Sequence, residues 1–190
     1  MHRSYGHKIV QFDEKVKVVV HFRHYMANTC LFIGRFQPFH KGHLMVVQGM
    51  RKVCGRIIIG VGSPETPESL EHPFSVQERH EMISAALLDA DIPDADIYDI
   101  PDTVDDAKWV EHVIKITGPV DRVWTGNALV EQLFTAQEIQ VQKIKEVPGI
   151  SGTEVRARLL NGGDWDDLVP SGVAPVLRRI SAATRMKELS

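Results

Sequence analysis

Cysteine is scarce in this chain of 190 residues, where only Cys30 and Cys54 occur. Two cysteines are too few for a disulfide framework, and no C-x-x-C pair suggests zinc or thiol-redox chemistry, so a reducing cytoplasm is the expected compartment. Long apolar runs are missing as well. The stretch Ile57 to Val61 falls far short of the roughly 18 residues a membrane-spanning helix needs. The start lacks the apolar core of a signal peptide, so no membrane partner is expected. Neither charge sign dominates, since 22 Lys and Arg face 25 Asp and Glu for a formal net charge of −3. That balance leaves no global positive field to recruit nucleic acid, and any charge that holds phosphate has to be local.

What is present fits one globular domain with a short appendage: 43% hydrophobic and 25% charged residues, with 14 Gly and 10 Pro. The appendage is residues 1–25, which hold His2, His7, His21 and His24, four of the nine histidines. Val16, Val18, Val20 and Phe22 alternate there with Lys and His, as in an edge strand or an arm. The histidine spacing matches no zinc-site pattern. Met26 is a candidate true start, and residues 26–190 form the expected domain.

That domain alternates short β-branched stretches with helical patterns. Strands are expected at Cys30–Ile33, Arg56–Val61, Asp96–Ile100, Arg122–Thr125 and Ile139–Lys145, with helices near 43–54, 75–89, 106–116 and 128–134. Strands joined by crossover helices pair in parallel, so the expected fold is α/β, a Rossmann-like parallel five-stranded sheet with flanking helices and a small C-terminal helical part. Ser75 with Glu78, and Ser151 with Glu154, read as capping boxes, and Gly162–Gly163 as a helix stop. One last helix after Pro170 would carry Val173, Val176, Leu177 and Ile180 on an apolar stripe. Ligands of such sheets bind beyond the carboxyl ends of the strands, which directs attention to the segments after Ile33, Val61, Ile100 and Thr125.

Two motifs there carry chemistry. Gly34-Arg35-Phe36-Gln37-Pro38-Phe39-His40-Lys41-Gly42-His43 lies between a strand and a helix start. Gly34 and Gly42 leave room for backbone to approach a ligand, and a helix start offers free N–H groups and the positive end of its dipole. His40 and His43, three apart, can turn both imidazoles toward one phosphate, with Arg35 and Lys41 adding charge. An isolated H-x-x-H also describes a helix cap followed by a surface residue, or a metal site lacking its third ligand. About a hundred residues later, Ser151-Gly152-Thr153-Glu154-Val155-Arg156 opens a second helix. Ser151, Thr153 and the first amides would form an anion nest, with the planar fork of Arg156 reaching a polyphosphate. The plainer alternative is a cap followed by a solvated arginine. Two anion-binding helix starts in one small domain point to a single phosphorylated ligand gripped from both sides.

The pair G-x-F-x-P-x-H-x-G-H and I-S-x-T-x-x-R resembles the nucleotidyltransferase α/β-phosphodiesterase superfamily. Within it, GRFQPFHKGH, GSPETPESLEHPFSVQER, AKWVEH, TGNALV and SGTEVR resemble the archaeal-type nicotinamide mononucleotide adenylyltransferases over roughly residues 30–185. The resemblance implies transfer of AMP from ATP to nicotinamide mononucleotide, forming NAD and pyrophosphate, with magnesium and no covalent intermediate. It implies catalytic roles for His40, His43, Arg35 and Arg156. Gly34, Phe36, Gln37, Lys41, Gly42, Ser151, Gly152, Thr153 and Asn127 would bind the nucleotide, and no residue is assigned to a metal.

By the same resemblance Trp109 would stack on the nicotinamide and Asp102 would approach the acceptor. Trp109 also reads as a core residue of an amphipathic helix, and Asn127 as a helix N-cap. Glu78 and Arg79 read as structural. Glu71 and His72 stand in a loop where the resemblance would lead one to look for arginine. A homo-oligomer, in relatives commonly a hexamer, is a further expectation. The rival functions are another transferase of the superfamily, with phosphopantetheine, FMN or a phosphorylated polyol as acceptor, and a nucleotide sensor without turnover.

Overall fold

The computed structural model describes residues 28–190. The extension over 1–25, with its alternating segment and its histidines, lies outside the described residues. Strands and helices alternate as β1 (Thr29–Gly34), α1 (Lys41–Arg51), β2 (Arg56–Gly62), α2 (Val76–Asp89), β3 (Asp96–Ile100), α3 (Asp106–Thr117), β4 (Arg122–Thr125), α4 (Ala128–Ala136) and β5 (Gln140–Lys143). The five strands are all parallel, in the order β3-β2-β1-β4-β5. The chain first adds strands to one side of β1 and then crosses to the other, so the switch point of this Rossmann-like sheet lies at β1 and β4. No helix among the described residues is long and apolar enough to cross a membrane.

The apolar strands are covered on both faces, as a parallel sheet requires. Cys30, Phe32, Ile57 and Ile59 point into one core layer with Val47, Met82, Leu159 and Leu177. Leu31, Ile58, Ile100 and Val123 point into the other, with Val110, Val113 and Phe134. The run Ile57-Ile58-Ile59 therefore feeds two cores at once, which is why it reads as continuous rather than alternating.

The C-terminal part is helical: α5 (Gly152–Asn161), a 3-10 turn at Asp166–Leu168, α6 (Val173–Arg179) and α7 (Ala182–Glu188). Here the structure corrects three expectations. The single last helix is two, broken at Ser181, whose φ of 52° is left-handed; Ala182 and Met186 then bury a second apolar face. Strand β5 is shorter than Ile139–Lys145 because it pairs only with β4 and lasts as long as that partner. The box at Ser151 is half made: Ser151 Oγ accepts from the Glu154 amide at 3.1 Å, while Glu154 turns forward to Arg158 at 2.8 Å. Gly162 does stop α5, at φ 73°.

A fourth correction concerns sulfur. Cys30 and Cys54 form a disulfide across a separation of 24 residues, which closes the β1–α1–β2 unit covalently. Both residues are buried, Cys30 on β1 and Cys54 just before β2, so the topology brings together two side chains whose spacing in sequence carries no such signal.

Helix α2 is anchored by charge. Its capping box is complete: Ser75 Oγ accepts from the Glu78 amide and Glu78 Oε2 accepts from the Ser75 amide. Arg185 of α7 grips both Glu78 oxygens, at 2.6 and 2.7 Å, and donates to the carbonyl of Pro73 at 3.0 Å. Arg79, only 2% exposed, donates to the carbonyls of Arg35, Gly62, Ser63 and Ser75 and so staples the ends of β1 and β2 to α2. Both residues are structural, as expected.

Burial pushes the Glu78 carboxyl up, but the bonds from Arg185 and from the Ser75 amide outweigh it and hold its pKa below the ordinary value. A depressed folded-state pKa contributes stability above the unfolded pKa of about 4.3 and loses it as pH falls through the folded value. Glu78→Gln is therefore expected to cost on the order of 2 kcal/mol at pH 7. Urea unfolding as a function of pH is expected to show that difference shrinking toward zero below about pH 4.

Candidate active site

The chain leaves β1 through a loop that turns sharply at Phe36, at φ 51°. The Phe36 ring is buried, edge-on to Phe32 at 5.3 Å and to His43 at 4.9 Å. Phe39 closes the other side of His43 at 5.3 Å. His43 thus sits in an aromatic box at the first turn of α1, and His40, the N-cap, stacks on it with ring centroids 3.5 Å apart. The predicted convergence of the two imidazoles is real.

Their protonation follows from this packing. Burial pushes the His40 pKa down to about 4. Burial, together with the neighbouring His40, takes His43 well below the usual imidazole range. Both rings are neutral at pH 7, since two stacked imidazoles with little access to water cannot both carry charge. The His40 amide donates to His43 Nδ1 at 3.2 Å. Nδ1 is then the acceptor, the ring proton resides on Nε2, and His43 presents an N–H donor.

The second motif meets the first. Arg156 of α5 donates from Nη1 to the carbonyl of Gln37 at 2.7 Å and from Nη2 to Thr153 Oγ1 at 3.3 Å. Gly152 is required by this contact, because a Cβ there would stand 3.0 Å from the Gln37 oxygen. The guanidinium is therefore no solvated surface arginine. Arg35, Phe36, Gln37, His40 and His43 from the first motif, and Gly152, Thr153 and Arg156 from the second, line one cleft of about 570 Å³. Glu71 and His72 complete its wall. The sequence reading noted these two only as departures; the signal that could have assigned them was their position in the loop after β2, at the carboxyl edge of the sheet.

Other candidates take supporting roles. The Gln37 side chain is engaged with Phe74, its amide nitrogen donating to the Phe74 carbonyl at 2.8 Å and its oxygen accepting the Phe74 amide at 2.9 Å. Gly34 makes room for the Phe36 ring, which a Cβ would meet at 2.9 Å, and Gly42 for the His40 ring at 3.0 Å. Lys41 is exposed on the first turn of α1 and does not line the cleft. Ser151 Oγ is occupied as the cap of α5. Asn127 caps α4 by accepting from the Leu129 and Val130 amides at 2.8 and 3.2 Å, and lies outside the cleft wall. Trp109 packs edge-on against Phe134 at 5.9 Å because it shares the apolar face of α3 that meets α4, which makes it a partly buried core residue. Asp102 is exposed in the loop after β3, away from the cleft.

With this geometry in place, similarity to known proteins becomes informative. A model of the cytidylyltransferase-like family matches residues 31–158. A nicotinamide-nucleotide adenylyltransferase of Methanococcus aeolicus is 41% identical over 164 residues, covering 84% of this chain and 94% of the relative. One of Thermococcus kodakarensis is 37% identical over 169 residues, covering 87% and 90%. The chain belongs to the cytidylyltransferase-like family. Its fold recurs in a bifunctional NMN adenylyltransferase/ADP ribose pyrophosphatase from Francisella tularensis, solved in complex with AMP and a manganese ion. That likeness has a TM-score of 0.72 at 24% identity, over 86% of this cytidylyltransferase-like chain and 52% of the larger one, so the chain spans about half the length of that protein. A putative nicotinate-nucleotide adenylyltransferase from Vibrio parahaemolyticus gives a TM-score of 0.58 at 18% identity, over 80% of this chain and 99% of that one.

The protonation argument is directly measurable. In an unfolded chain the two imidazoles bind protons near pH 6.5, whereas the folded protein keeps them neutral far below that, so their contribution to stability is full above about pH 6.5 and is lost on acidification. Heteronuclear NMR of the ring nitrogens is expected to show His40 and His43 unprotonated from pH 8 down to 5.5, with the His43 proton on Nε2.

Proposed function

We propose that the protein transfers AMP from ATP to nicotinamide mononucleotide, forming NAD and pyrophosphate. The observation that carries this is the meeting of two distant helix starts, with His40, His43 and Arg35 on one wall and Arg156 on the other, in a cleft with space for a triphosphate. The archaeal relatives supply the acceptor by their names.

The reaction needs no protein nucleophile. A phosphate oxygen of the acceptor attacks the α-phosphorus of ATP in line, a new P–O bond forms, the bond to the β-phosphate breaks, and pyrophosphate leaves with the electron pair. Negative charge spreads over the transferring phosphoryl group and the leaving group, so catalysis consists of positioning and electrostatic stabilisation. His43 donates from Nε2 without changing its charge. Arg156 and the first amides of α5 receive the phosphates, with the dipole of that ten-residue helix adding a partial positive charge. Arg35, on the exposed rim, draws the anion in.

Magnesium enters as part of the ATP substrate. The ion is held by the phosphates of the nucleotide, as magnesium commonly is in such reactions. A homo-oligomer and the absence of nucleic acid or membrane partners complete this reading, and a cytoplasmic location rests on the metabolic role alone, because the Cys30–Cys54 disulfide removes the argument from cysteine content.

The test is pyrophosphate release in the presence of ATP, magnesium and, separately, nicotinamide mononucleotide, nicotinic acid mononucleotide, FMN and phosphopantetheine. Release with FMN or phosphopantetheine alone would overturn the acceptor, and release with none would overturn the enzyme. His43→Ala is expected to retain the fold, by circular dichroism, and to lose about 10²–10³ in kcat.

A further inference from the structure

Among the groups lining the cleft, Glu71 and His72 are titratable and have no task in the proposed chemistry, and of the two His72 can carry the positive charge that suits a phosphate. We propose that His72 binds the polyphosphate of the nucleotide, as an imidazolium in the complex and as a neutral imidazole in the free protein. The inference rests on the reading of the cleft as a triphosphate site and adds to it a residue that senses the ligand's charge.

The position of His72 is well determined. Its loop is closed by reciprocal backbone bonds, Ser69 to His72 at 3.3 Å and His72 to Ser69 at 3.0 Å, with Ser69 Oγ also accepting the His72 amide. The next two residues are clamped independently, Pro73 by Arg185 and Phe74 by the side-chain amide of Gln37. The same Gln37 receives Arg156 at its carbonyl. The loop of His72, the histidine loop and the start of α5 are therefore one connected framework, and His72 lines the cleft from the side of β2.

The charges around it set its behaviour. Arg35 and His40 and His43 face it from the β1–α1 segment, Arg156 from α5, Arg79 from α2, and Glu71 from its own loop. Partial burial, followed by the positive charges of Arg35 and Arg156, lowers the His72 pKa, and the carboxylate of Glu71 opposes this only in part. A polyphosphate placed between those two guanidinium groups reverses the sign of the field at the ring. Charging His72 then becomes favourable, and the imidazolium gives a charge-assisted hydrogen bond to a phosphate oxygen. His43, packed among Phe32, Phe36 and Phe39, and His40, stacked on it, remain neutral donors.

Titration of Mg-ATP into the full chain without acceptor, in two buffers of different ionisation enthalpy, measures both affinity and protons taken up. The wild type is expected to take up a fraction of a proton per site at pH 7 and to bind about tenfold more weakly at pH 8 than at pH 6.5. His72→Gln is expected to lose the uptake and to bind at all pH values as the wild type does at pH 8, with KM for ATP raised. His72→Lys, permanently charged, is expected to hold the pH 6.5 affinity across the range, which also reports an intact fold. Wild-type uptake and pH slope persisting in His72→Gln would overturn the proposal. So would a wild type that binds Mg-ATP without uptake. No binding of Mg-ATP by any variant would remove the triphosphate reading itself, whereas normal binding without pyrophosphate release would remove only the transferase.

Discussion

The hydrogen bond from Arg156 to the carbonyl of Gln37, 2.7 Å long, joins residues 119 positions apart and is the constraint on which the cleft depends. Gln37 is its hub. Its carbonyl receives the guanidinium, its side-chain amide pairs both ways with the backbone of Phe74, and its ring of contacts is sealed by Gly152, which has no Cβ to intrude. Three loops that follow or precede different elements are thus referred to one residue, 7% exposed, whose polar atoms are spent internally. A buried amide satisfied this way gives geometric definition that a surface contact could not, because leaving any of those groups unpaired would incur a desolvation cost.

The electrostatic plan of the site follows from the same packing. The neutral imidazoles are half-buried, with His43 packed against Phe36 and Phe39, while the permanent cations Arg35 and Arg156 stand at the rim and wall. A chain with net charge −3 can attract a polyanion only if its positive groups are concentrated, and the fold concentrates them at the carboxyl edge of β1. Arg79, equally cationic, is withheld from this task, since it donates to four backbone carbonyls. Position alone distinguishes the two kinds of arginine.

Much of the architecture was legible in the sequence because local signals and global topology agree there. β-branched runs, the Ser75–Glu78 box and the glycine stop after α5 each state their own secondary structure. The two glycine-bearing motifs that line the cleft were legible for the same reason, as each is continuous and opens a helix. What escaped is what depends on tertiary placement. The disulfide joins a strand to a loop 24 residues away. Trp109 and Asn127 have side chains that suit either ligand or structure, and only the fold shows that the one packs on Phe134 and the other caps α4. The break at Ser181 requires a left-handed residue that the apolar stripe did not announce. His72 and Glu71 join the cleft through clamps on Pro73 and Phe74 that originate from α7 and from β1's exit loop.

The long span between Gln37 and Arg156 also sets an order in time. During synthesis the aromatic box and both histidines leave the ribosome early, and all five strands can pair before the opposing guanidinium has emerged. Until then the histidines border an open groove. Arg185, which clamps the loop bearing His72, is made later still. The nascent protein therefore closes this cleft only after all five strands have been made, with α5 and α7 as its latch.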